Sequence, residues 1–551
     1  MPNLLRRSSA ALITISALLA TGSQSLSAQG APGAPPPRAT QRATQRATQR
    51  ATQRATTNFR IDETTVAAIH SALRARIITC RALVQQYLDR IDATDRRGPE
   101  INALITINLA ALATADSLDA VQARASAADA LGALHCVPMI VKDNFETHDL
   151  QTTAGSLALK GWVPQRDATL VARIRAAGAI VLAKSNLAEW AFSPNETVSS
   201  ILPGYTRNPY DRSRVTAGSS GGTAAAVAAN SGAVGLGTDT GNSIRGPSAH
   251  NALVGIRSTM GLTSRAGVVP LNNQADIAGP MARTVADAVE VLQVVAGEDA
   301  DDAVTVASRG RREVDYRRFV VPGGLRRARI GILRQAYDRP TIDPEVVTIF
   351  GAALDAMRTA GATIIDSARV LDLDSILALG RGGCNRFRAD LEGYFAARGA
   401  GAPVRTVDAI LKSGSYHPLS QLRLQAAQAV VLPPDSIPAC RARAAMRDQL
   451  AAAVTALMDS LQLDALVYPT WSNVPRLIGD LNTPSGDNSQ TFSPITGFPA
   501  ITVPMGYTRG NSLPAGITFY GRAWSEGRLI TLSYGFEQAT RHRRPPSLGP
   551  F

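Results

Sequence analysis

Two glycine-rich serine stretches, with Ser219 and Ser243 twenty-four residues apart, carry the chemistry that can be read from this chain. The first is Val215-Thr216-Ala217-Gly218-Ser219-Ser220-Gly221-Gly222. The second is Gly237-Thr238-Asp239-Thr240-Gly241-Asn242-Ser243-Ile244-Arg245. Upstream, Val137-Pro138-Met139-Ile140-Val141-Lys142-Asp143-Asn144 sets a lysine at the end of an apolar run. A serine hydroxyl is a weak nucleophile at neutral pH and needs a base within hydrogen-bonding reach. Two serines and a lysine supply a nucleophile, a relay and a base without any histidine. The histidines themselves (His70, His135, His148, His250, His417 and His542) stand in no recognisable catalytic context. A surface or satisfied core position is expected for each.

Two other chemistries compete for the first stretch. Gly218-Ser219-Ser220-Gly221-Gly222 also fits G-x-S-x-G, the nucleophile elbow of α/β-hydrolases, with Ser220 as nucleophile. That motif follows a strand, whereas Asn208-Pro209-Tyr210-Asp211-Arg212-Ser213 reads as a loop. No acid-then-histidine order stands out downstream. A phosphate-binding loop is the other rival, but Gly222 is followed by no Walker lysine, and G-x-G-x-x-G spacing is missing.

The three segments, in this order and spacing, resemble the amidase signature family. The resemblance runs from about residue 59 to 310 and again from 464 to 540. It includes Thr153-Ala154-Gly155-Ser156, Ala183-Lys184-Ser185-Asn186-Leu187-Ala188-Glu189-Trp190, Ala278-Gly279-Pro280-Met281-Ala282-Arg283-Thr284 and Gly497-Phe498-Pro499-Ala500-Ile501-Thr502-Val503-Pro504. It implies an α/β fold: a large mixed central sheet covered by helices on both faces (α/β/α), in a single domain. It also implies roles. Ser243 matches the nucleophile, Ser219 the bridging serine with a cis peptide bond, and Lys142 the base.

On that reading Lys142 must be buried and its pKa depressed, because only the neutral amine accepts a proton. Backbone N–H groups of Thr240, Gly241, Asn242 and Ser243 form the oxyanion hole, a device worth about 3–4 kcal/mol per donor. Gly218 and Ser220 support the first loop. Asp239 and Arg245 hold the second by an ion pair. The chain departs from the family pattern in three places. Asn242 stands where a second glycine is usual, and asparagine tolerates unusual backbone angles better than most residues. Its side chain either adds a donor or narrows the pocket. Arg257 stands where a lysine is usual, and His250-Asn251 replace a stretch that usually holds cysteine or glycine.

The elements that must position these residues follow from periodicity. Asp62 to Asp92 and Asn102 to Asp129 show helical spacing. Val137 to Val141 reads as a buried strand ending at Lys142. Asp167 to Ala177 reads as a helix with Asp167 as a possible N-cap, and Gly178 to Ala183 as the next strand. Gly222 to Ala229 is an alanine-rich helix opening from the first serine loop. Arg329 to Leu333, Ala465 to Pro469 and Ala500 to Pro504 read as core strands. Asp343 to Asp464 is mostly helical, and Leu529 to Thr540 is a final helix. Glu189–Phe192 and the 370–480 region should shape the pocket.

The remaining features bound the setting. The net charge is +13 over 551 residues, but residues 1–60 carry eight arginines and no acid, leaving +5 over the other 491. The body is only mildly basic, which fits a solvated surface and no nucleic-acid partner. Aromatic content of 5% argues against a sugar or single-strand binder. Residues 1–28 read as an export signal: Arg6-Arg7, an apolar run from Ala10 to Ala20, then small residues. Whether the route is Sec or twin-arginine stays open. The run falls short of the ~20 residues that span a bilayer, so no stable membrane span is expected after cleavage. Residues 29–58 form a Pro/Gly stretch followed by four Ala-Thr-Gln-Arg repeats over Ala39–Arg54, a composition that favours disorder. Residues 59–551 are expected to be the catalytic domain. Cys80, Cys136, Cys384 and Cys440 lack metal-ligand spacing, so no metal is called for. Cys384 with Cys440 is one possible bridge, and buried thiols are the alternative.

Taken together the chain reads as an exported, cofactor-free amidase, monomer or homodimer, acting on a small-molecule amide. A peptide C-terminal amide or an aryl amide is expected, through an acyl-enzyme. A member of a tRNA-dependent amidotransferase, an esterase or carbamate hydrolase on the same site, and a non-enzymatic binding protein are the alternatives.

Overall fold

Short apolar runs rich in β-branched residues become strands here, because such side chains pack well on a pleated surface. The computed structural model describes residues 59–124 and 131–548. The expected export signal (1–28) and linker (29–58) lie outside the described residues. In chain order come α1 (Val66–Arg74), α2 (Cys80–Ile91), β1 (Leu104–Ile107), α3 (Ala111–Arg124), β2 (Pro138–Lys142), α4 (Thr169–Ala176) and β3 (Ile180–Ser185). A small hairpin, β4 (Arg207–Asn208) and β5 (Asp211–Val215), leads to α5 (Gly221–Ala228), β6 (Val234–Asp239), α6 (Arg245–His250), β7 (Val254–Arg257), β8 (Ile277–Ala282) and α7 (Val285–Val295). The second half holds β9 (Arg329–Ile332), α8 (Pro344–Thr359) and β10 (Thr363–Ile365). Helices Leu373–Ala378, Phe387–Arg398, Val407–Ser413 and Gln421–Gln428 follow. The chain then forms α9 (Pro438–Ser460), β11 (Ala465–Pro469), β12 (Ala500–Thr508), β13 (Leu513–Tyr520) and α10 (Glu526–Thr540).

Eleven strands make one sheet in the order β1-β3-β2-β6-β8-β7-β12-β13-β11-β9-β10. β2 runs parallel to β3 and β6, and β9 parallel to β10 and β11; the other pairs are antiparallel. The sheet is therefore mixed, as expected. β2, β3, β6, β8, β11, β12 and β13 are buried at every position. Such continuous burial requires cover on both faces. The described residues fall in one compact unit.

Several local expectations are corrected. The helical run from Asp62 to Asp92 is two helices, with Thr65 and Thr79 each capping one through its side chain. The expected 102–129 helix begins only at Ala111, and its first residues instead pair with β3 as an edge strand. Asp167 does not cap α4. Its carboxylate takes His148 Nδ1 at 3.0 Å and Arg175 Nε at 3.2 Å, and the helix starts two residues later. The 208–213 segment is the β4–β5 hairpin rather than a loop. β13 is a central strand although Pro514 and Gly516 mark it as a poor one. Cys384 does bridge Cys440, and Cys80 bridges Cys136, a pairing the sequence did not single out.

Candidate active site

Lys142 ends β2, between β3 and β6, and its side chain is wholly buried. Its Nζ lies 2.8 Å from Ser219 Oγ and 2.7 Å from Thr238 Oγ1. Burial lowers its pKa to about 7, against the opposing pull of Asp239 and Asp276. The amine is thus poised to exchange a proton near neutrality.

The Ser219 loop is held from both sides. The Gly218–Ser219 peptide is cis. Gly218 N donates to Pro194 O at 2.9 Å, and Ser219 O accepts from Ala188 N at 3.1 Å. A Cβ at Gly218 would sit 2.6 Å from Glu196 O and 2.7 Å from Ser193 O, so only glycine fits. Ser220 stitches the two serine loops together. Its N donates to Ser243 O at 3.3 Å, its Oγ donates to Thr238 O at 3.1 Å, and Thr238 N donates to that same Oγ at 3.3 Å. Committed to backbone and buried, the Ser220 hydroxyl is not placed as an elbow nucleophile. Among the described residues no histidine bonds to Ser219, Ser220 or Ser243.

The loop carrying Ser243 is wired by two buried arginines. Arg245 Nε lies 3.1 Å from Asp239 Oδ2, and Arg257 Nη1 lies 3.0 Å from Asp239 Oδ1. Ile244 N and Arg245 N also donate to that carboxylate, at 3.1 and 3.3 Å. Burial raises the Asp239 pKa, but Arg245 and Arg257 outweigh it and hold it at about 2. The expected Asp239–Arg245 pair is present, and Arg257 completes it.

These cations also fix peptide planes. Arg245 Nη2 donates to Gly241 O at 2.7 Å and to Ser489 O at 3.1 Å. Arg257 Nη1 donates to Asp239 O, and Gly246 N donates to Asn242 O at 2.8 Å. In a trans peptide the carbonyl and the following N–H point opposite ways. Pinning the carbonyls of 239 and 241 therefore turns the N–H groups of Thr240 and Asn242 away from the arginines, and pinning that of 242 turns the Ser243 N–H away from α6. Among the described residues, none of the N–H groups of Thr240, Gly241, Asn242 or Ser243 donates to a protein acceptor. Thr240 Oγ1 is tied down by Asp276 Oδ1 at 2.6 Å.

Asn242 is buried, and its side-chain amide lies against α6, where a Cβ on Gly246 would collide with it. Neither amide atom has a protein partner. Glu189 is hydrogen-bonded to the 370–480 region. Its Oε2 accepts from His417 N at 2.7 Å and Ser420 Oγ at 2.6 Å. A cavity of about 180 Å³ lies there, lined by Glu189, Phe192, Glu196, His417, Arg423 and Arg476 among others. Gln490 covers Gly241, its Oε1 filling the place that a Cβ would take. Sequence reading missed Thr238, Asn144 and Gln490. The first two sit inside the quoted motifs, and only strand pairing shows that they meet.

Comparison with known proteins shows the family. The Amidase family profile matches residues 82–530. A probable amidase of Arabidopsis thaliana is 34% identical over 507 residues, spanning 89% of this chain and 92% of its own. A glutamyl-tRNA(Gln) amidotransferase component of Thermosynechococcus vestitus is 31% identical over 517 residues, spanning 88% and 100%. The crystal structure of the native peptide amidase from Stenotrophomonas maltophilia superposes with a TM-score of 0.79 at 37% identity, over 88% of this chain and 99% of that one. The chain belongs to the amidase family. It is an amide-hydrolysing enzyme.

Proposed function

We propose that Ser243 attacks a carboxylic amide carbonyl while Ser219 relays its proton to Lys142. The observation that carries this is the 2.8 Å contact between a buried, readily neutral Lys142 and Ser219 Oγ. The attack forms the Ser243 Oγ–carbon bond and moves the carbonyl electron pair onto oxygen. That oxyanion is met by the free N–H groups of the 240–243 loop. Collapse breaks the carbon–nitrogen bond, and Lys142 returns its proton through Ser219 to the departing amine. A water then repeats the cycle on the acyl-enzyme, releasing the acid.

The substrate we infer is a small amide, such as the C-terminal amide of a peptide or an aryl amide. Similarity to a peptide amidase over nearly its whole length supports the first. Esters and carbamates present the same carbonyl to the same nucleophile. We place the enzyme outside the cytoplasm: two disulfides support an oxidising compartment, as does the signal-like N-terminus. Among the described residues no helix is long and apolar enough to cross a membrane. The disulfides and the signal-like N-terminus also weigh against a part in a tRNA-dependent amidotransferase, which works with cytoplasmic partners.

Hydrolysis of primary amides, peptide amides, anilides, carbamates and esters, compared with Ser243→Ala, tests this. Activity abolished in the variant is expected. Unchanged activity would remove Ser243 as nucleophile.

A further inference from the structure

Lys142 has two hydrogen-bond partners, and only Ser219 belongs to the relay. The other is Thr238 Oγ1, at 2.7 Å, closer than Ser219 Oγ at 2.8 Å. Thr238 Oγ1 also receives Asn144 Nδ2 at 3.1 Å. The contact crosses neighbouring strands: Val141 of β2 pairs with Leu236 of β6, two residues before Thr238. The Thr238 backbone is clasped by the Ser220 hydroxyl through both N and O. The threonine is therefore fixed at the base.

A neutral lysine amine carries two N–H groups and one lone pair, whereas the ammonium carries three N–H groups and none. To serve as a base, Lys142 must turn its lone pair to Ser219 and an N–H elsewhere. Once it holds the proton, it needs acceptors for the new charge. Among the described residues, Ser219 Oγ and Thr238 Oγ1 are the acceptors it has. Asn144 Nδ2 only donates, so a lone pair of Thr238 faces it and fixes the hydroxyl rotor.

We propose that Thr238, held by Asn144, is the positioning residue of the lysine base: it accepts an N–H from Lys142 throughout the cycle, leaves the lone pair to Ser219 at rest, and holds the ammonium once the proton arrives. No atom passes to Thr238; the proton moves only between Ser243, Ser219 and Lys142. This rests on Lys142 being the base. The charged groups acting on Lys142 are Asp239 and Asp276, both engaged elsewhere. Asp239 is paired with Arg245 and Arg257, and Asp276 accepts from Thr240, Leu271 and Asn272. Asp143, next in the chain, lies 3.0 Å from Lys184. None of these carboxylates hydrogen-bonds Nζ, so beside Ser219 the neutral Thr238 hydroxyl is the hydrogen-bond acceptor that holds the charged amine.

A hydrogen bond to a charged group stabilises that form more than the neutral one. Thr238→Val keeps the β-branched shape and removes the acceptor. In the full chain it should move the acid limb of the kcat/KM–pH profile down by about one pH unit or more and lower kcat about 10- to 100-fold. Thr238→Ser should restore both. If the valine variant does not fold, as judged by circular dichroism, Thr238→Ala is read the same way. An acid limb at the wild-type position in the variant lacking the hydroxyl overturns the proposal, whatever its kcat. Lys142→Ala separates the two readings. If it remains active, the base assignment fails. If it is inactive while the Thr238 profile is unmoved, this inference alone fails.

Discussion

Lys142 shows how a residue can be functional and destabilising at once. Burial holds its pKa at about 7 in the folded protein, from an ordinary value of 10.5. The unfolded chain therefore binds one more proton between those values, and stability rises with pH across that window. Below pH 7 the full penalty of a buried ammonium applies; above 10.5 it is gone. At pH 7 it is on the order of 4 kcal/mol. Lys142→Met, similar in length and apolar, should therefore raise the melting temperature at pH 7 while abolishing amide hydrolysis. The gain should shrink towards pH 9.5. A gain that is constant with pH, measured by scanning calorimetry at the two values, would show that burial is not what depresses the amine. The active enzyme should accordingly gain kcat/KM as pH rises through about 7.

At the scale of elements, the loop and helix that carry Ser243 are built as a matched pair. Asn242 stands where the family pattern has glycine, and its amide occupies the space that a Gly246 side chain would need. Gly246→Ala should displace Asn242 and disturb the free N–H groups of the 240–243 loop, lowering kcat more than it raises KM. Asn242→Gly vacates that space, so Gly246→Ala should be far milder on that background. A double-mutant cycle on kcat/KM reads the coupling, which should exceed about 1 kcal/mol for residues in such contact; additivity would mean that Gly246 is dictated by something else. This pairing also marks what the sequence could reveal. Lys142, Ser219 and Ser243 stood out as candidates because their motifs are local and ordered along the chain. β2, β3, β11 and β12 were legible because fully buried strands read as unbroken apolar runs. β1, β10 and β13 were not. β1 lies in an alanine-rich context that reads as helix, β10 has three residues, and β13 carries Pro514 and Gly516 yet is held by partners on both sides. Thr238 was overlooked for the same reason: its role exists only once β2 and β6 lie side by side.

At the scale of the whole molecule, the cysteines link fold to compartment. Cys80–Cys136 ties α2 to the segment six residues before Lys142, and Cys384–Cys440 ties the helical region after β10 to the start of α9. Each spans a sequence separation of 56 residues, for which chain-entropy reasoning gives about 4 kcal/mol of stabilisation per bridge. Such bridges persist where thiols are not kept reduced, the compartment proposed for this enzyme. Protein isolated without reductant and unfolded in guanidinium should therefore show no titratable thiol, and four after reduction, matching the four cysteines of the chain. Reduction should also lower the melting temperature, with Cys384→Ser/Cys440→Ser reproducing part of the loss. The first bridge precedes the strand that bears the base, so Cys80→Ser/Cys136→Ser should reduce kcat near its melting transition more than the second pair does. Four free thiols in native protein recovered from outside the cytoplasm would separate the fold from the compartment and leave the amide chemistry standing without the disulfides.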